Sequence, residues 1–333
     1  MKKSLSVLGA VLIATSLFIG CKKEEEKEIT LVMAEVNPSD TVSGRMDTAF
    51  KEKVEELSNG KIKIDLYFSG VLGDEKQVMA IMMAPESNIQ LTRGPANLSS
   101  YSGGKQVKSS LISIPYTFSS DEHFWKFANS DLAEQILNEP YELGLGVKGL
   151  FYAQEGLRHY FSNQEIKTVE DLKGKKMRVS GQVLKALSDS FGSQSVEVKF
   201  TDLYASFQTG AVEVAEQPIS NYLSNSFNQV APYLVLDGHM IGAISVMVNS
   251  ECWDSLTAKQ QNILTEAGKY ASDFCRQIMD EANELAMVIL KSEGVKVTEI
   301  QDIAPWQNAC SQMRKEAASI DSELYQKILD LGK

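Results

Sequence analysis

The chain has 333 residues, a formal net charge of −11 at pH 7 and a hydrophobic content of 43%. This length and apolar content suffice for the cores of roughly two domains. The acidic balance argues against nucleic acid and against an anionic membrane surface as binding partners.

The chain begins with the pattern of a secretory signal peptide. Two lysines precede a largely apolar stretch, Leu5 to Ile19, which is too short to cross a bilayer. It ends at a glycine followed by Cys21, an order that resembles a bacterial lipobox; an ordinary signal peptide with an incidental cysteine is the alternative. We therefore predict a signal peptide over residues 1–20 and a lipid anchor at Cys21. This places the protein on the periplasmic or outer-surface side of a bacterial membrane.

Charge dominates the segment that follows. Lys22 to Glu28 has the sequence KKEEEKE, a run that cannot bury apolar surface. Residues 21–28 are therefore predicted to form a lipid-anchored, solvated tether. No later segment approaches about 20 consecutive apolar residues, so we predict no further membrane span.

The predicted elements alternate between strands and helices along the chain. The strands are predicted at Ile29–Met33, Lys61–Phe68, Asn88–Leu91, Val147–Tyr152, Lys176–Val179 and Ile244–Val248. The helices are predicted at Thr41–Leu57, Asp74–Met83, Thr201–Thr209 and Thr257–Ser292. Lys61–Phe68 shows the period-two alternation of a half-buried strand. Strand–helix alternation of this kind predicts an α/β fold with a largely parallel sheet.

The cysteines after the tether are Cys252, Cys275 and Cys310. They lack the CxxC spacing of zinc and redox sites, and their number allows at most one intramolecular disulfide. We predict three buried thiols, with one disulfide as the alternative.

Motifs for catalysis and cofactor binding are weak or missing. Gly144–Gly149 fits the pattern GxGxxG, but it follows a predicted helix and precedes a strand, the reverse of the dinucleotide-binding order. His123, His159 and His239 lack metal-ligand spacing, and the sequence has no nucleophile elbow or phosphate loop. We predict no enzyme activity, no cofactor and no metal site.

Several blocks, taken in order, resemble a known family. They are Ser69–Asp74, Glu155–Asn163, Ile166–Val179, Asp202–Glu213, Glu216–Pro218 and Gly238–His239. Together they are similar to the DctP-like substrate-binding proteins of TRAP (tripartite ATP-independent periplasmic) transporters. The resemblance implies a two-lobed periplasmic-binding-protein fold with a ligand cleft between the lobes and a long C-terminal helix. It also implies a receptor that captures a small organic acid and delivers it to the membrane subunits of a TRAP permease.

The resemblance and the strand–helix alternation together imply a division of the chain into lobes. Residues 29–154 with 243–285 are expected to form lobe I. Residues 155–242 with 286–333 are expected to form lobe II.

The resemblance further implies ligand contacts. Arg178 matches a family arginine that holds the ligand carboxylate through two parallel hydrogen bonds, and a surface arginine ending a strand is the alternative. Arg158 matches a second arginine near the carboxylate, with a structural ion pair as its rival. Phe200 matches an aromatic that packs on the ligand, with core packing as its rival. Gln217 stands where the family usually has asparagine and keeps an amide that can donate to a carboxylate.

Three more residues are candidates for the cleft. Arg93 would be an extra cation there, and a solvated loop residue is the alternative. Glu35 ends the first predicted strand and Glu75 lies beside the block at Gly73–Asp74, so each is a candidate acid. A solvated surface position is the alternative for both acids.

Two other functions stay open from the sequence. The first is a binding lipoprotein for a largely apolar ligand, in which the arginines are structural. The second is a periplasmic enzyme on the same scaffold, because a fold alone does not define a function.

Overall fold

The computed structural model describes residues 28–333. In this range the strands are β1 (Ile29–Ala34), β2 (Ile62–Tyr67), β3 (Leu91–Pro95), β4 (Val147–Ser162), β5 (Lys176–Val179), β6 (Gln194–Glu197), β7 (Val214–Pro218), β8 (Tyr233–Asn249) and β9 (Lys296–Glu299). The helices are α1 (Val42–Leu57), α2 (Glu75–Met82), α3 (Asp121–Ala128), α4 (Asp131–Glu142), α5 (Gln182–Ser190), α6 (Leu203–Gln208), α7 (Ile219–Ser224), α8 (Ser250–Ser255), α9 (Ala258–Ser292), α10 (Ala304–Ala309), α11 (Ser311–Ala318) and α12 (Ser322–Asp330). The predicted signal peptide, the anchor at Cys21 and all of the predicted tether except Glu28 lie outside the described residues.

Local sequence signals account for several of these elements. In β2 the side chains of Ile62 and Ile64 are buried while those of Lys63 and Asp65 are exposed, as the period-two pattern predicts. The 35-residue helix α9 follows Thr257, whose hydroxyl accepts a hydrogen bond from the backbone N–H of Gln260. The side chain of Gln260 accepts in return from the backbone N–H of Thr257 at 2.9 Å, which completes a capping box. The predicted long C-terminal helix is thereby confirmed.

The strands form one hydrogen-bonded order, β2-β1-β3-β8-β4-β7-β5-β6, with β9 paired to β8. The outer pairs β1–β2, β1–β3, β5–β6 and β5–β7 are parallel, as expected for strands that alternate with helices. The pairs that involve the two central strands β4 and β8 with β3, β7 and each other are antiparallel. The α/β class is confirmed: parallel pairs lie on either side of the antiparallel pairs of β4 and β8, and β9 forms a further parallel pair with β8.

The two central strands are much longer than the sequence indicates. β4 has 16 residues and β8 has 17, whereas the predicted strands covered only Val147–Tyr152 and Ile244–Val248. Their pairing contains register shifts, one of them between Gln154 and Leu157, which interrupt the period-two pattern. Gly156 lies in that shift with φ +94°, and a Cβ there would approach the amide nitrogen of Asn283 to 2.5 Å. Glycine is therefore required at this point of β4, where the two long strands cross from one part of the core to the other.

The hydrophobic core divides on either side of the crossing. One cluster contains Phe151 and Ala153 of β4 together with residues of α1 and α9. Two further clusters contain Tyr160 and Phe161 of β4, together with residues of β7 and the segment after Leu290. The two-lobed fold is confirmed by this arrangement and by the solved structures described below, whereas the lobe boundaries stay a prediction.

The last helix packs differently from the predicted lobe assignment. Leu324 and Ile328 of α12 join the cluster that contains Phe151, although residues 286–333 were assigned to lobe II. His123 of α3 reinforces this docking, because its Nε2 lies 2.8 Å from the carbonyl oxygen of Ile328. The apolar face of α12 is buried against the first part of the chain, so we place α12 with lobe I.

The cysteines among the described residues are free thiols. Cys275 and Cys310 are buried and Cys252 is half-buried. Burial agrees with the prediction of buried thiols for Cys275 and Cys310 but is only partial for Cys252, whose pKa burial raises to about 11.

Candidate functional site

A cavity of about 540 Å³ (the cleft) lies where the two long strands cross between the core clusters. Its wall is built from α2, β3 and the start of α5, and from β4, β7 and β8 at the crossing. The charged residues on the wall are Asp74, Glu75, Lys76, Arg93, Glu155, Arg158, Arg178, Glu197 and Lys199. A volume of this size suits a small organic molecule.

Arg178 is the third residue of β5 and lies on the cleft wall with 5% of its surface exposed. Its Nε donates a hydrogen bond to the carbonyl oxygen of Val198 at 3.1 Å, which orients the guanidinium. No carboxylate within residues 28–333 forms a salt bridge with it. Burial and the nearby charge of Arg158 lower the pKa of Arg178, while Glu216 acts in the opposite direction. A ligand carboxylate would supply the missing countercharge.

Arg158 also reaches the cleft, but its charge is already paired inside the protein. Its Nε and Nη2 donate to the two carboxylate oxygens of Glu216, and the Nη2 contact measures 3.0 Å. Burial alone would raise the pKa of Glu216, but Arg158 and the bonds to this carboxylate lower it to about 2. The alternative of a structural ion pair therefore describes the contacts of Arg158 in this structure.

His239 extends this buried charge network. Its Nδ1 lies 2.7 Å from Oδ2 of Asp237, and its Nε2 lies 3.8 Å from the carboxylate of Glu216, beyond hydrogen-bond length. Its ring stacks on that of Tyr160 at 4.3 Å. Burial lowers the pKa of His239, but the charge of Asp237 outweighs this effect and raises it to about 9.

The stability of the protein should consequently depend on the protonation of His239. Because its pKa is higher in the folded chain than in the unfolded chain, its contribution is complete below about pH 6.5 and is lost as the pH rises through about 9. Relative to a His239→Gln variant, the free energy of unfolding of the wild type should fall by at most about 3 kcal/mol between pH 6.5 and pH 9.5. Urea unfolding across this range measures the difference. If the free energies of unfolding of the two proteins changed with pH in parallel, the raised pKa of His239 would be contradicted.

The guanidinium of Arg93 is paired with Glu35, which was itself predicted to contact the ligand. Its Nε donates to Glu35 at 2.8 Å, and its Nη2 contacts the other carboxylate oxygen. Glu35 is only 1% exposed and is not part of the cleft wall, so its prediction as a pocket acid is wrong. The register of β1 beside β3 explains this, because the two strands place Glu35 next to Arg93. Burial and the charge of Glu35 raise the pKa of a further carboxyl, that of Asp47, well above its usual range.

The other predicted contacts lie on the cleft wall. Gln217 of β7 is buried, and its side-chain amide makes no hydrogen bond within the described residues. The rings of Phe200 and Phe227 pack in a T-shaped geometry with their centroids 5.9 Å apart. Phe200 also lines the cleft, so it belongs both to the wall and to the core. Glu75 accepts a hydrogen bond from the hydroxyl of Tyr101 at 2.8 Å.

Glu155 and Asn221 are polar wall residues that the sequence did not single out as candidates. Glu155, at the start of the block Glu155–Asn163, has a buried Oε1 without a hydrogen-bond partner within residues 28–333. Asn221 of α7 likewise has a buried Oδ1 without a hydrogen-bond partner in the described part of the chain. The only sequence signals for them were their positions: Glu155 lies next to Gly156, and Asn221 follows shortly after Pro218.

Two ion pairs cross the cleft near its rim. Lys199 lies 2.6 Å from Oδ2 of Asp74, and Lys76 pairs with Glu197. The lysines are about half exposed, so each pair contributes little to stability and is weakened by salt. These contacts connect α2 and its N-cap residue to β6 and the residues just after it.

The described residues were also compared with the requirements of a metal site and of a membrane-spanning helix. Within residues 28–333, no group of three or more His, Cys, Asp or Glu side chains is arranged to hold a metal ion. Over the same range, no helix combines the length and the apolar character needed to cross a bilayer.

Comparisons with known proteins agree on one family. The DctP family model, described as "Bacterial extracellular solute-binding protein, family 7", matches residues 33–320. The chain is 26% identical over 325 residues to the C4-dicarboxylate-binding periplasmic protein DctP of Rhodobacter capsulatus, covering 94% of this chain and 93% of the relative. It is 25% identical over 332 residues to the sialic acid-binding periplasmic protein SiaP of Vibrio cholerae, covering 98% and 94%.

A solved structure with the same fold is the sugar acid binding protein of Advenella mimigardefordensis in complex with galactonate. The TM-score is 0.86 at 22% identity, with 92% of this chain and 99% of that chain covered.

Proposed function

Because the chain belongs to the DctP family of bacterial extracellular solute-binding proteins (family 7), we propose that it is a receptor for a small organic acid. It captures this acid outside the cytoplasm and delivers it to the membrane subunits of a TRAP permease. Family membership confirms the resemblance carried by the sequence blocks. The identity of the acid and the permease partner are the parts that we propose for this chain.

One observation carries the proposal: a buried arginine without a carboxylate partner faces the cleft. Arg178 is 5% exposed, and its only hydrogen bond within residues 28–333 goes to a backbone carbonyl. A buried cation without a countercharge is unfavourable, so the site is suited to an anionic ligand. The planar guanidinium matches a carboxylate through two parallel hydrogen bonds.

The remaining contacts are proposed around this anchor. Gln217 would donate its amide to the same carboxylate, and Phe200 would cover an apolar part of the ligand. Arg158, Arg93 and Glu75 would contribute charge at the wall. Relatives named for C4-dicarboxylates and for sialic acid, and a structure with galactonate, support a carboxylate ligand.

Ligand binding would be coupled to movement of the lobes. Arg178 and the core clusters around β7 lie on one side of the crossing strands, while Arg93 and Glu75 lie on the other. A ligand that contacts both sides stabilises the closed form relative to the open form. We propose that the closed, liganded form is the one that docks on the permease.

The apolar-ligand alternative predicts that Arg178 is paired with a carboxylate of the protein, and Arg178 has no such partner among residues 28–333. The enzyme alternative predicts turnover of the bound ligand. NMR spectra of the bound ligand, recorded over a day with stoichiometric protein, should show no conversion. A new product signal would support the enzyme alternative.

Native mass spectrometry of freshly purified protein tests the main proposal. The expected result is a protein peak with one additional small organic acid, released as an intact anion on denaturation. Release of an apolar compound instead would contradict the proposal. Calorimetric titration with the released acid should then give a one-to-one complex.

We further propose that the protein is held at a membrane by a lipid on Cys21 after removal of a signal peptide over residues 1–20. The motif Gly20-Cys21 and the charged run after it support this proposal. A Cys21→Ser variant should move from the membrane fraction to the soluble extract, because a lipid chain supplies most of the membrane affinity. A Cys252→Ser variant is the matched control and should stay with the membranes. Membrane retention of the Cys21→Ser protein without a lipid would contradict the anchor.

A further inference from the structure

Most of the basic side chains on the cleft wall are neutralised by carboxylates of the protein. Four of the basic side chains have carboxylate partners within the described residues. The pairs are Arg93–Glu35, Arg158–Glu216, Lys199–Asp74 and Lys76–Glu197. Arg178 is the one basic residue of the wall that lacks such a partner among residues 28–333. Arg178 is therefore the one place on the described wall where a ligand carboxylate meets a cation that no protein carboxylate already neutralises.

The acidic and amide groups of the wall point to the rest of the ligand. Glu75 and Glu155 are carboxylates of the wall that form no salt bridge with a basic residue within residues 28–333. Oε1 of Glu155 and Oδ1 of Asn221 are buried without hydrogen-bond partners in the described part of the chain. Both atoms are acceptors only, so a ligand satisfies them only if it carries hydrogen-bond donors.

We infer that the ligand is a monocarboxylate with hydrogen-bond donors on its distal part, and that dicarboxylates bind poorly. The inference rests on the proposed function and specifies the class of acid. The single carboxylate pairs with Arg178, while hydroxyl or ammonium groups donate to Glu155 and Asn221. Hydroxylated acids and amino acids share this chemistry.

A dicarboxylate is disfavoured for a specific reason. Its second carboxylate would have to share Arg158 with Glu216 or Arg93 with Glu35, because Nε and Nη2 of each guanidinium already donate to that carboxylate. Glu216 and Glu35 are each 1% exposed and already neutralise their arginines, so a second anion beside either pair would gain no net countercharge. The second carboxylate would also approach Glu155, a like charge, and would leave its Oε1 without a donor.

Calorimetry with a panel of four ligand types tests the inference. The types are hydroxylated monocarboxylates (D-gluconate, D-galactonate, D-glucuronate, D-erythronate), dicarboxylates (succinate, malate, fumarate), amino acids (glutamine, serine) and the apolar monocarboxylate hexanoate. The tightest hydroxylated acid or amino acid should bind at least tenfold more tightly than every dicarboxylate and than hexanoate. Which of the two donor-bearing types binds best identifies the donor as hydroxyl or ammonium.

Two substitutions test the roles of the acceptors. Glu155→Gln keeps the shape and removes the charged acceptor, and Asn221→Leu removes the amide at similar volume. Each should weaken the tightest donor-bearing acid at least tenfold while changing hexanoate less than threefold, because hexanoate makes no such hydrogen bond. A purely structural role would weaken both ligands equally. Glu139→Gln removes the same charge from a half-buried position outside the cleft wall and should change neither affinity.

The outcomes separate this inference from the proposed function. A dicarboxylate as the tightest ligand, with binding that depends on Arg178, overturns the inference and leaves the proposed function intact. Equal effects of both variants on donor-bearing and apolar acids also overturn it. Binding of no carboxylate in the panel overturns both.

Discussion

An Arg178→Lys variant is expected to bind its acid at least about 30-fold more weakly than the wild type, because charge is retained while the two parallel hydrogen bonds are lost. Truncation in Arg178→Ala should cost roughly 2–5 kcal/mol of binding free energy, since the ligand carboxylate would then be buried without a countercharge. Arg158→Ala should cost less, because Arg158 is already bonded to Glu216. Calorimetry with the acid identified by native mass spectrometry measures all three.

The control for this series is Arg45→Lys, an exposed arginine of α1 that is not part of the cleft wall. It should bind as the wild type does, and melting curves should show that every variant is folded. Binding of Arg178→Lys within about threefold of the wild type, less than ~0.7 kcal/mol, would exclude bidentate recognition. The apolar-ligand alternative would then gain support.

The second large effect concerns stability, at Glu216. This carboxylate is 1% exposed and accepts two hydrogen bonds from Arg158, with the imidazole of His239 nearby. Glu216→Gln leaves both cationic side chains without their shared countercharge at almost unchanged shape. Removing one partner of a buried ion pair typically costs about 3–5 kcal/mol, and we expect the free energy of unfolding to fall by about that amount.

Urea unfolding followed by circular dichroism and by tryptophan fluorescence measures this loss and tests whether the two signals coincide. Glu323→Gln is the matched control, because Glu323 pairs with Lys327 at 2.7 Å on the surface of α12. Its loss should stay below about 1 kcal/mol. A similar, small loss for Glu216→Gln would mean that the buried network contributes little to stability.

Local sequence patterns were enough to predict the features that depend on neighbouring residues. The period-two pattern predicted β2, and Thr257 and Gln260 marked the start of α9, because burial periodicity and helix capping act over a few residues. The ordered blocks predicted the family and put Arg178 at the end of a strand, where the structure has it on the cleft wall.

Which charges are free to meet a ligand depends instead on contacts between remote parts of the chain. Arg158 and Glu216 are 58 positions apart, and the β4–β7 register makes them diagonal neighbours, with Arg158 opposite Pro218. Arg93 and Glu35 are equally distant in sequence and adjacent in space. The register between remote strands is not contained in a local pattern, and electrostatic pairing depends steeply on the resulting distances. For that reason the sequence identified the arginines of the cleft, and the fold left Arg178 among them without a carboxylate partner in residues 28–333.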